Sequence, residues 1–73
     1  MTLLEGILTD GQKDDLERLV DRYGMQQILD ALADIAGEKS TFISETWQDA
    51  HLALRWERIA AAITVASNKA NGV

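Results

Sequence analysis

The chain has no cysteine and no proline, one histidine, and only two tryptophans, one tyrosine and one phenylalanine in 73 residues. Without cysteine there is no disulfide and no thiolate metal site. One histidine supplies too few ligands for a histidine-based zinc centre, so no metal and no cofactor is expected. No apolar run approaches the roughly 20 residues that a membrane span requires. The opening "MTLLEGILTDG" lacks a basic leader and a small-residue cleavage site, so it does not read as a signal peptide. Together with the missing cysteine this places the expected location in the cytoplasm. Basic residues are also scarce: seven Lys and Arg against twelve Asp and Glu, a net charge of −5. Such a chain repels phosphates, and direct nucleic-acid binding is excluded.

What is present is helix-forming sequence sufficient for one domain, residues 1–73. A chain this short buries only about 60% of the surface its unfolded form exposes, so self-association is the remaining source of added stability. Nothing alternates with period two, and the whole reads as all-α. A first helix is predicted over about 10–23. Thr9 with Gln12 three residues on is a capping box, and Leu8 is placed to staple the entry. Asp10, Asp14 and Asp15 sit at the positive end of the helix dipole. Leu16, Leu19, Val20 and Tyr23 form its apolar stripe, and Gly24 is suited to the left-handed conformation that ends a helix.

A second helix spans about 25–46. Met25, Ile28, Leu32, Ile35, Lys39, Phe42 and Thr46 alternate three and four steps without losing register, which carries the helix through Gly37. A break at Gly37 is the alternative, since glycine costs a helix interior about 1 kcal/mol. The third helix, about 49–70, follows Leu52, Trp56, Ile59, Ile63, Ala66 and Ala70, with Asp49 as N-cap and Gly72 as stop. Helices 2 and 3 form an antiparallel hairpin turning near Trp47–Asp49, with helix 1 packed across it. Residues 1–9 form an apolar arm, in which Thr2 and Glu5 could cap a turn. Its Leu3, Leu4, Ile7 and Leu8 either cover the hairpin or reach a second subunit.

Three groups of residues could carry function. His51, Arg55 and Arg58 beside Trp56 could hold a small anionic ligand such as a nucleotide, because arginine donates bidentately and stacks on aromatic rings; the bland alternative is a solvated helix face. Trp47 and Trp56 lie half a helical turn apart, so they make no stacked pair; Trp56 belongs to the seam and Trp47 plugs the hairpin turn. Asp30, Asp34 and Glu38 form a like-charged ladder that disfavours the helix slightly, and could dock a protein with a basic patch. Finally, "IAAAI" permits close helix approach. Leu54, Ala61 and Val65 give helix 3 a second apolar row about 160° from the first. A helix apolar on two sides needs two neighbours, and with only three helices one of them is expected to be another copy. The expected oligomer interface is Leu3, Leu4, Ile7, Leu54, Ala61 and Val65. No catalytic residue is expected, since no nucleophile elbow or triad pattern occurs.

The spacing of "LVDRYGMQQILDALADIAGEKS" followed by "TWQDAHLALRWERIAAAI" resembles small uncharacterised helical proteins of bacteriophages, prophages and bacteria. The features that carry it are Tyr23-Gly24, the Ala-Leu-Ala of helix 2, and Trp47-Gln48-Asp49 followed by Trp56. The resemblance implies a protein that binds a host or defence component. The leading expectation is a non-enzymatic, self-associating interaction protein that modulates another protein through an acidic face. The alternatives are an oligomeric nucleotide binder or sponge and an acidic nucleic-acid mimic acting as an inhibitor.

Overall fold

The computed structural model describes residues 6–73, which form helices α1 (Asp10–Tyr23), α2 (Met25–Phe42) and α3 (Ala50–Lys69). A π-helical turn, Ile43–Trp47, extends α2. No strand occurs among the described residues. The fold is a small all-α arrangement, an antiparallel α2–α3 hairpin preceded by a shorter helix. No helix in it is long and apolar enough to cross a membrane.

The helix ends follow the local chemistry. The Thr9 hydroxyl accepts from the Gln12 backbone N–H at 3.1 Å, and the Thr9 N–H donates back to the Gln12 side chain at 2.8 Å. The capping box is therefore complete. The staple is not: Leu8 stays 57% exposed, because the position it would pack on is Lys13. At the start of α3 the Asp49 carboxylate accepts from the Leu52 N–H at 3.0 Å. Helix α2 runs unbroken through Gly37. It widens into the π turn only at Ile43, after which Gln48 reverses the chain with φ +52°.

The hairpin closes on small side chains. The Ser40 hydroxyl donates to the Ala53 carbonyl at 2.9 Å, and the Ser67 hydroxyl donates to the Asp30 carboxylate. These two bonds, one near each end, fix which sides of α2 and α3 meet. Along the seam the buried residues are Ala36, Ile43, Ala53 and Ser67, with Ala33, Trp56, Ala60 and Ile63 half-buried. Alanine removes little apolar area from water, so this seam sets helix separation more than it supplies hydrophobic stabilisation.

The expected packing of helix 1 across the hairpin is not what forms. α1 touches α2 alone, makes no contact with α3, and buries none of its residues. The cause is the connection. A single residue, Gly24, separates α1 from α2, whereas antiparallel helices need a loop of about 2–5 residues to reverse direction. Gly24 does take a positive φ of +87°, but its ψ of 156° is extended rather than left-handed helical, and it leads straight into α2. The result is flat and open, with principal-axis extents of 38 × 28 × 13 Å. The radius of gyration is 13.9 Å, against about 11 Å for a compact domain of this length.

The end of the chain returns to this elbow: the Gln26 N–H donates to the Val73 carbonyl at 3.2 Å. A Cβ on Gly24 would stand 3.0 Å from that oxygen, whereas a Cβ on Gly37 would meet nothing within 4 Å. The two glycines should therefore respond in opposite directions. Gly37→Ala is expected to stabilise by about 0.5–1 kcal/mol through helix propensity. Gly24→Ala is expected to destabilise by more than about 1 kcal/mol, being both strained and crowded. Urea melts of both variants at one protein concentration measure this; the same sign of change in both contradicts it.

Candidate interaction surfaces

Because small residues occupy the seam, the large ones lie beside it. Each residue advances about 100° around a helix. That step places Leu32, Ile35 and Phe42 on one flank of α2, and Ile59 with Ala66 on the flank of α3 that lies on the same side of the hairpin. The opposite side of the hairpin carries Asp30, Asp34 and Thr41 from α2, and Glu57, Thr64 and Asn68 from α3. The hairpin thus has one apolar face and one polar face. The apolar face is uncovered: Leu32 is 40% exposed, Ile35 48%, Phe42 54% and Ile59 46%. Trp47 meets Phe42 edge to face, with ring centroids 6.3 Å apart, so it shields one end of this face instead of plugging a closed core. The apolar stripe of α1 is similarly open, with Leu16, Leu19 and Tyr23 all exposed.

The residues expected to form an oligomer interface have a different position. Leu54, Ala61 and Val65 are exposed on the outer edge of α3, away from α2. Ile7 lies bare at 97% exposure and does not cover the hairpin. Leu3 and Leu4, with Thr2 and Glu5, fall outside the described residues. The larger apolar surface joins Leu32, Ile35 and Phe42, from the three-and-four row of helix 2, to Ile59 from that of helix 3. What identifies it as a surface is a second row in equal register, Leu29, Ala33, Ala36, Ser40 and Ile43, whose small members win the hairpin contact.

The four residues considered for anion binding do not all share one side of α3. His51, Arg55 and Arg58 are exposed along the outer side of α3, while Trp56 is half-buried toward α2. Arg58 lies about 160° around the helix from Trp56, too far to stack on it. The cation–π contact that does form sets the Arg22 guanidinium 5.5 Å from the centre of the neighbouring Tyr23 ring.

The acidic ladder divides into two roles. Asp30 is held by the Ser67 hydroxyl and forms part of the hairpin seam. Asp34 and Glu38 are exposed, and among the described residues no side-chain hydrogen bond or ion pair holds either one. Among the described residues no three His, Asp or Glu side chains converge as metal ligands would. Nor does any buried side-chain nitrogen or oxygen among the described residues lack a hydrogen-bond partner.

No protein-family model matches the chain, and neither the curated proteins nor the solved structures offer a match. The candidate surfaces therefore rest on their own geometry. That geometry separates the acids by substitution. Asp30→Lys removes the acceptor of a cross-hairpin bond and should cost about 1–2 kcal/mol. Asp34→Lys or Glu38→Lys should stay within about 0.5 kcal/mol of the parent. Equal losses at all three positions in thermal or urea melts contradict the division.

Proposed function

We propose that this chain acts by assembly and not by catalysis: a non-enzymatic helical interaction protein that self-associates and presents an acidic face to a basic patch on another protein. One observation carries the reading. Leu32, Ile35, Phe42 and Ile59 share one face of the hairpin, each about half exposed, and among the described residues neither α1 nor Ile7 covers that face. Large contiguous apolar patches on small soluble proteins mark interaction sites. A fold whose buried apolar core among the described residues is Ala36, Ile43 and Ala53 gains stabilisation by covering that face.

The polar side supports the second half of the reading. α2 carries three acids and one base, Asp30, Asp34, Glu38 and Lys39, and α1 carries five acids and three bases, a net of −2 for each. With the apolar side occupied by self-association, Asp34 and Glu38 remain outward, available to steer a basic partner by long-range attraction. A host component as that partner agrees with the phage-type resemblance of the sequence, and a chain without cysteine suits a reducing cytoplasm.

The parent protein is expected to run as a single oligomer in size-exclusion chromatography with light scattering. Ile35→Glu, at an already exposed position, should shift it toward monomer by at least tenfold in dissociation constant. A parent that stays a folded monomer at every concentration tested overturns the reading.

A further inference from the structure

Three surfaces stand open: the outer edge of α3, the acidic side of α2, and the paired stripes of α1 and the hairpin face. The last pair can be carried furthest, because each supplies what the other lacks.

We infer that the apolar hairpin face of one copy is covered by helix α1 of a second copy, so that assembly proceeds by exchange of this helix. The inference rests on the self-association proposed above and names the element that fills the face. α1 cannot fill the face in its own chain, since the one-residue elbow at Gly24 is shorter than an antiparallel reversal requires. A helix of fourteen residues is about 21 Å long, enough to span the stretch of α2 from Leu32 to Phe42, about 15 Å. Its stripe of Leu16, Leu19 and Tyr23 offers side chains to both flanks of the face.

Charge gives the same pairing. α1 has a net charge of −2 and so does α2, the only helix it touches in its own chain. α3 carries Arg55, Arg58 and Lys69 against Glu57, a net of +2, and α1 of the same chain does not reach it. On the apolar face itself, Lys39 stands within the α2 row and Arg55 borders the α3 row, both exposed. An acidic helix with an apolar stripe thus meets an apolar face edged with cations, and only a second chain can bring the two together.

The area agrees with a stable dimer. The chain exposes 6011 Å² in all, where a compact monomer of its mass exposes about 4500 Å². Half of the difference is already close to the roughly 800 Å² that each partner contributes to an interface of standard size.

The absence of native cysteine makes a clean test available. Chains carrying Leu16→Cys, Leu19→Cys or Tyr23→Cys are each mixed with chains carrying Ile35→Cys, allowed to exchange, and oxidised mildly. All four positions are exposed in the chain, so none of these changes empties a core. At least one mixture is expected to yield the cross-linked heterodimer as its main product, several-fold above either homodimer. If Ile35→Cys chains cross-link only with each other, the hairpin faces meet directly; helix exchange is overturned while self-association stands. An oligomeric parent that gives no heterodimer in any mixture also overturns the exchange. A parent that is monomeric by light scattering removes both.

Discussion

A choice between two rows of side chains on α2 decides the rest of this structure. One row, with Leu32, Ile35 and Phe42, is large; the other, with Ala33, Ala36 and Ser40, is small. The small row faces α3 and meets Ala53, Ala60 and Ser67, with Ser40 and Ser67 each donating a hydrogen bond across the seam. Close backbone approach and two satisfied hydroxyls hold the hairpin with little apolar burial. The large residues are consequently left beside the seam, where they form the uncovered face.

The second constraint is the elbow. Had the α1–α2 connection been a few residues longer, α1 could have folded back and closed a three-helix bundle over Leu32, Ile35 and Ile59. With Gly24 alone between them it cannot, and two apolar stripes from one chain stay apart. Covering apolar surface is the dominant favourable term in both folding and association. A chain that cannot satisfy it internally can do so between copies, which is the logic linking fold to proposed function here.

Much of the local structure was legible in the residues. The Thr9–Gln12 capping box, the Asp49 cap and the passage of α2 through Gly37 follow from chemistry acting over one turn, where sequence neighbours are spatial neighbours. The π turn at Ile43–Trp47 carries no such signature, since it arises where the helix end adapts to the hairpin reversal. The packing of α1 was misjudged for a tertiary reason: its amphipathic stripe says that it needs a partner, not which chain supplies one. Two rows in equal register run along α2, one of larger and one of smaller side chains, and the Ser40 bond across the seam falls on the smaller one. In the His51, Arg55, Trp56 and Arg58 group the helical step puts the three basic residues on one exposed side of α3 and turns Trp56 toward α2.

The central claim is that the folded chain is completed by another copy of itself. Folding coupled to association makes the melting temperature depend on protein concentration by mass action. Thermal unfolding followed by circular dichroism over a hundredfold range of concentration therefore tests the claim directly. The account predicts a melting temperature that climbs steadily as the protein is concentrated. A cooperative transition at one fixed temperature across the whole range would contradict it.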